Sequence, residues 1–208
     1  MRKGIIPNMD NKELKDFERL IDETFKTRHS FAALRRLLDT TEGIEYISSG
    51  TARAVYKIND EKVLKIAKNA KGIAQNQTEA DWGLKNYGVA AEWYDVSDEG
   101  IWIESELCPR VKVTDFKKEL GFTFAYFCDC LRYYYFNQRY GNRRPNHKPD
   151  GYDETWDNDF IRPYYEYIGD FGVPVGDLTR ISSYGRNHNG EIVLVDTGLN
   201  EDVYNNYY

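Results

Sequence analysis

Apolar residues recur at helix spacing early in the chain. After Asp10, Leu14, Phe17, Leu20, Ile21 and Phe25 share one face, and after Ser30, a suitable N-cap, so do Phe31, Leu34, Leu37 and Leu38. Two such faces need burial. The domain that follows is the expected cover, and a partner protein is the alternative. The period then changes from helical to alternating. Ile44 to Ile47, Arg53 to Ile58 and Lys62 to Ala67 read as three strands in a meander, joined by Ser48-Ser49-Gly50-Thr51 and by the turn at Asn59-Asp60-Glu61. By the period-two rule Leu64 and Ile66 face one way and Val63, Lys65 and Ala67 the other, so Lys65 lies under the sheet or at its rim. An edge or snorkelling lysine is the plain account of it.

Gly72 to Tyr87 reads as a helix with Glu79 in its middle, beside a stripe of Ala74, Thr78 and Trp82. From there Glu79 can turn inward towards Lys65. Glu92 to Val96 and Gly100 to Glu104 read as a hairpin around Ser97-Asp98-Glu99-Gly100, and Pro109 marks a junction. Beyond it the pattern is helical and aromatic: Phe116 to Leu120, a longer helix over Phe122 to Gln138, and a short one over Phe160 to Ile168. Between them Arg139 to Asp159 reads as a long polar loop, basic first and acidic later, and thus functional or mobile. The last elements are a polar loop opened by Asp177, a turn at Asn189-Gly190 and a strand over Glu191 to Val195 that ends at Asp196. The organisation expected is an N-terminal helical extension over 1–42, a β lobe over 43–108 and a helical lobe over 109–208.

Composition narrows the function classes. The 208 residues are 41% hydrophobic and 15% aromatic, enough for a substantial core. The net charge of -6 argues against a general nucleic-acid binder, and the acidic half of the 139–159 loop offsets its arginines. No apolar run approaches a membrane span and the start is too short in apolar residues for a signal peptide, so a cytoplasmic protein is expected. Cys108, Cys128 and Cys130 form no CxxC pair and fit packed thiols. His29, His147 and His188 have no metal-ligand spacing, which argues against zinc.

The candidate chemistry is carboxylate chemistry. Asp177 at the start of a loop and Asp196 at the mouth of the following strand are close enough in the chain to share a site. Such a pair suits Mg²⁺, which takes one or two carboxylates together with phosphate oxygens.

A strand, a small-residue loop, a strand, a strand lysine, a helix glutamate, two strands, a junction, helices and two spaced aspartates form an order that resembles the protein-kinase-like family. The Gly-rich loop pattern lies over Ser48 to Val55, keeping Gly50 and Val55. Val63-Leu64-Lys65 resembles the strand lysine motif, Glu79 the helix glutamate and Glu104 to Pro109 the hinge. Asp177-Leu178 resembles the catalytic Asp-Leu pair, and Asp196-Thr197-Gly198 resembles Asp-Phe-Gly. The resemblance implies an α+β, protein-kinase-like two-lobed fold, with an antiparallel β N-lobe carrying one helix and a reduced helical C-lobe. It further implies that ATP and Mg²⁺ are bound. Lys65, paired with Glu79, would hold the α and β phosphates. Backbone around Ser48, Ser49 and Gly50 would cover them, and Glu106 would belong to the nucleotide-contacting hinge. Asp196 would hold the metal, and Asp177 would orient and deprotonate the attacking hydroxyl.

The departures matter equally. Ser182, a weaker metal ligand, stands where the family has asparagine, and two loop glycines are replaced by Ser48 and Arg53. Ten residues follow Gly198, and no counterpart of the activation segment and later helices of a protein kinase is expected among them. Two functions are therefore expected in competition: a minimal phosphotransferase acting on a protein or small hydroxyl compound, and a pseudokinase that binds a protein partner. The tyrosine-rich end, Glu201 to Tyr208, is expected to pack on the helical lobe near Tyr133 to Phe136, against the alternative of a frayed terminus.

Overall fold

A computed structural model describes residues 8–81, 85–141 and 147–207. The chain forms two compact units, Met1–Ala80 with Glu92–Leu107, and Asp81–Ala91 with Cys108–Tyr208.

The first unit is built on a five-stranded antiparallel sheet. Its strands are β1 (Glu45–Ser49), β2 (Arg53–Lys57), β3 (Lys62–Ala67), β4 (Trp93–Val96) and β5 (Trp102–Glu106), in the order β1-β2-β3-β5-β4. β3 is thus central, and Lys65 stands opposite Val55 on one side and Ile103 on the other. The edge-strand account of Lys65 falls with that register. β5 runs past the expected end at Glu104, so Glu104 to Glu106 are strand residues and the predicted hinge begins only after them.

The leader forms α1 (Asn11–Arg28) and α2 (Phe31–Thr40). Asp10 caps α1 with a full capping box, and the Ser30 hydroxyl accepts from the Ala33 amide at 3.4 Å. Their apolar stripes do not need a partner protein. Leu14, Phe17, Ile21, Leu34 and Leu38 pack on Ala54, Tyr56, Leu64, Ile66 and Trp102 of the sheet, while Leu20 lies outside this cluster and stays exposed. Because Leu64 and Ile66 point into this cluster, Lys65 between them must face the other way.

α3 (Ala70–Glu79) is shorter than expected and ends at Glu79, which therefore lies on its last turn and not mid-helix. Its buried face is also different: Gly72, Gln75, Asn76 and Glu79 in place of the Ala74 and Thr78 stripe, whose third member, Trp82, lies outside the described residues. A helix that buries a polar face has hydrogen-bonding work to do there. Gly72 is needed for the close packing, because a Cβ at that position would lie 2.2 Å from the Ala52 carbonyl oxygen.

The second unit centres on α4 (Phe124–Tyr140), capped by the Thr123 hydroxyl, and α5 (Arg162–Phe171). Phe116, Phe127, Leu131, Tyr164, Tyr165 and Tyr184 are among its most buried side chains. A single turn at Val113–Asp115 and a π-type turn at Phe116–Leu120 precede α4. The described part of the expected 139–159 loop is ordered onto this core: Tyr152 and Thr155 are buried around a 3₁₀ turn at Asp153–Asp157, and Thr155 Oγ1 lies 2.7 Å from the Tyr165 hydroxyl. Arg143, Arg144 and Pro145 lie outside the described residues.

After α5 come α6 (Val175–Leu178), the strands β6 (Tyr184–Arg186) and β7 (Ile192–Leu194), and α7 (Glu201–Tyr207). β6 was read from the sequence as loop. Its middle residue, Gly185, is held so close to Cys108 that a Cβ would meet the Cys108 Cβ at 2.6 Å. The Arg186 amide donates to the Pro109 carbonyl at 2.8 Å and the Leu194 amide to the Val89 carbonyl at 2.8 Å, so the hairpin is clasped on both edges. All three cysteines are free thiols; Cys128 and Cys130 are buried, and burial pushes the Cys128 thiol up to about 11. Among the described residues no helix is long and apolar enough to cross a membrane.

The architecture is α+β. The antiparallel five-stranded unit carries α3 after β3, and the other unit is helical with a small hairpin.

Candidate functional site

Lys65 is 5% exposed and Glu79 6%, and the lysine ammonium bonds directly to Glu79 Oε1. A buried lysine is costly unless it is paired, so α3 must place a carboxylate where β3 places the cation. The second oxygen, Oε2, accepts from Arg53 Nη1 at 2.7 Å, and the same nitrogen donates to Asn76 Oδ1 at 3.1 Å. Asn76 in turn donates to the Gly100 carbonyl at 2.9 Å. Burial alone would push the Glu79 carboxyl up, but Lys65 and then Arg53 more than offset it and hold it below its ordinary range.

Arg53 was noted in the sequence only as a missing glycine. The signal that could have found it is the alternation itself. Ala54 and Tyr56 face the leader helices, so Arg53 and Val55 face the side of Lys65, with Val55 directly opposite it.

The segment over the predicted phosphate loop is a tight hairpin. Ser48 and Ser49 belong to β1, paired with Val55 and Ala54, and Ile47 is the extra residue of a bulge. The Gly50 amide donates to the Arg53 carbonyl at 2.9 Å, and so closes the turn instead of pointing outward to a ligand. Lys68 Nζ donates to the Ser49 hydroxyl and to the Gly50 carbonyl, both at 2.7 Å. Glu106, expected at the hinge, is a buried residue of β5; its amide donates to the Glu92 carbonyl at 2.8 Å and its carboxylate accepts from the Glu92 amide at 3.5 Å.

The aspartates lie in the second unit. Asp177 sits in the one-turn α6 and forms an ion pair with Arg180 at 3.0 Å. Asp196 is exposed just past β7, with the Gly198 amide 3.5 Å from its Oδ1. Ser183 brings their backbones together: its hydroxyl donates to the Asp177 carbonyl at 2.7 Å and its own carbonyl accepts the Val195 amide at 2.9 Å. Ser183 did not figure among the expected site residues, whereas its neighbour Ser182, which did, is exposed on a 3₁₀ turn. Among the described residues no three His, Cys, Asp or Glu side chains gather into a metal cage.

No family model matches the sequence, and no curated protein matches it. Solved structures similar to the chain include a choline/ethanolamine kinase family protein from Mesorhizobium loti, at 14% identity and a TM-score of 0.39, covering 84% of this chain and 64% of that one. Choline kinase LicA from Streptococcus pneumoniae is similar at 13% identity and a TM-score of 0.38, covering 79% of this chain and 66% of that one. APH(2″)-IIa, in a ternary complex with streptomycin and ATP, is similar at 13% identity and a TM-score of 0.36, with coverages of 81% and 69%. The chain thus spans just under two thirds of the first two.

Proposed function

We propose that the chain is an ATP- and Mg²⁺-dependent phosphotransferase acting on a hydroxyl group of a small molecule or a protein. The observation that carries this reading is the buried Lys65–Glu79 ion pair on the central strand. A hydrophobic pair would serve folding at lower cost, so a lysine held there, oriented by a carboxylate, is suited to an anion that enters later.

In this reading Lys65 holds the α and β phosphates, and Glu79 keeps the ammonium aimed. Asp177 orients the attacking hydroxyl and takes its proton as the new oxygen–phosphorus bond forms and ADP departs. Asp196 supplies the metal carboxylate and the Ser182 hydroxyl a weaker second ligand. The metal, when bound, neutralises charge on the phosphates.

The test is thermal melting with Mg-ATP. A ligand at about 100 times its Kd adds roughly 2.7 kcal/mol, so the wild type gains several degrees and Lys65→Ala gains nothing. An unchanged wild-type melt at millimolar ATP overturns the reading.

The exposed Ser182 favours a second reading, a pseudokinase that binds nucleotide and presents a surface to a partner. Turnover separates the two: with labelled ATP, wild type transfers phosphate and Asp177→Asn does not, whereas a pseudokinase shows no difference between them.

A further inference from the structure

Two cations share the one carboxylate of Glu79, and they do so from different strands. Arg53 lies on β2, Lys65 on β3 and Glu79 on α3; each cation takes its own oxygen of the carboxylate. The arginine is 6% exposed and its Nη1 is further fixed by Asn76, itself fully buried and anchored to the Gly100 carbonyl. This is a rigid seat and not a loose surface pair. Arg53 also starts at the turn whose backbone Lys68 ties down, so the seat and the hairpin are one piece.

A lysine that both pairs with a buried glutamate and serves a phosphate faces a conflict. Each step of its ammonium towards the phosphate weakens its bond to Glu79, and a buried carboxylate left without a partner is strongly unfavourable. A second, permanent partner on the other oxygen removes the conflict. Arginine suits that task, because its guanidinium stays charged at any working pH and one of its nitrogens, Nη1, is fixed by two acceptors at once.

We infer that Arg53 is a positioning residue for Lys65: by holding Glu79 Oε2 it keeps the carboxylate paired while the lysine ammonium turns to a nucleotide phosphate. The inference rests on the phosphotransferase reading. Arg53 acts through Glu79 and not by touching the nucleotide.

The test measures Mg-ATP and adenosine affinity on the full chain for wild type, Arg53→Gln and Arg53→Lys. Arg53→Gln is expected to bind ATP about tenfold more weakly, with adenosine affinity unchanged because adenosine offers Lys65 no phosphate. Arg53→Lys is expected to recover most of the loss. In a Glu79→Gln background Arg53→Met should cause no further loss, since the carboxylate through which Arg53 acts is gone. That double variant also serves if Arg53→Gln fails to fold. ATP affinity in Arg53→Gln equal to wild type, parallel loss of ATP and adenosine, or a further loss in the Glu79→Gln background each overturns the inference alone. A wild type that binds neither nucleotide overturns the phosphotransferase reading, and this inference with it.

Discussion

The Ser183 hydroxyl donates to the backbone carbonyl of Asp177 at 2.7 Å. Ser183 also accepts the Val195 amide through its carbonyl, so one residue stitches the short α6 turn to the end of β7. Nearby, the buried Tyr184 hydroxyl donates to the Leu178 carbonyl at 2.6 Å and makes a second stitch. Two aspartates on short, irregular elements are thereby held by fixed hydrogen bonds and not by helix or sheet ladders.

Replacing Ser183 with alanine removes one of these ties and leaves the Asp177 carbonyl to backbone donors alone, among them the Arg180 amide at 3.3 Å. The expected loss of stability is about 1 kcal/mol, read by chemical denaturation. If Asp177 works as proposed, turnover falls by more than nucleotide affinity does, because the nucleotide is held through Lys65. Equal losses in both would mean that Ser183 supports only the fold.

Glu79 ties stability to pH. Its folded-state pKa lies below its ordinary 4.5, so its contribution is complete above that value and is lost as pH falls through the depressed folded value. Glu79→Gln should lower stability at neutral pH and flatten the acid limb of a melting curve taken against pH. An acid limb as steep as in the wild type would show that other carboxylates account for it.

Glu18 has the opposite sign. It is buried where α1 meets the sheet, bonded to Lys15 at 2.7 Å and near the buried Glu104. Burial pushes its carboxyl up to about 7, against the lowering by Lys15. Between its ordinary 4.5 and about 7 the folded state holds more protons than the unfolded one, so the Glu18 contribution falls as pH rises through that window. Glu18→Gln should therefore gain on the wild type with rising pH, as seen in melting temperatures at pH 5, 6 and 8. A difference that stays constant across that range would refute the assignment.

Gly72 tests the packing that puts Arg53 and α3 together. A Cβ 2.2 Å from the Ala52 carbonyl cannot be accommodated by a flexible side chain, because the obstacle is backbone. Gly72→Ala should cost roughly 1–3 kcal/mol in spite of alanine's better helix propensity. A stabilised variant would mean that the hairpin yields freely.

Periodicity carried the strand meander, the leader helices and the facing of Lys65, since each rests on repeated burial of one face. What it missed is instructive. α3 buries Gln75, Asn76 and Glu79, a polar face that no apolar stripe announces, and so its end was misplaced. β6 was lost because Tyr184-Gly185-Arg186 is three residues long and owes its place to its pairing with β7 and to Pro109, distant in sequence. Lys65 was legible as a charge inside an apolar strand pattern, and Glu79 through its resemblance to the helix glutamate of the kinase-like order. Arg53 was hidden by its match to a loop motif, where it was counted as a missing glycine.

The tyrosine-rich end supplies the last prediction. It was expected to dock through its aromatic side chains, and it forms α7, but Tyr204 and Tyr207 are 49% and 43% exposed, and Tyr208 lies outside the described residues. The buried residue is Val203, and Glu201 adds an ion pair at 2.7 Å to Arg139 at the end of α4. Both ion-pair partners are partly exposed, so that bond contributes little, and the anchor is the valine. Val203→Ala, which removes two buried carbons, should cost about 1–2 kcal/mol, whereas Tyr204→Ala and Tyr207→Ala should each stay within about 0.5 kcal/mol of wild type. Urea unfolding of the three variants decides the matter. If the tyrosine variants lose more than the valine one, the aromatic area holds the end of the chain after all.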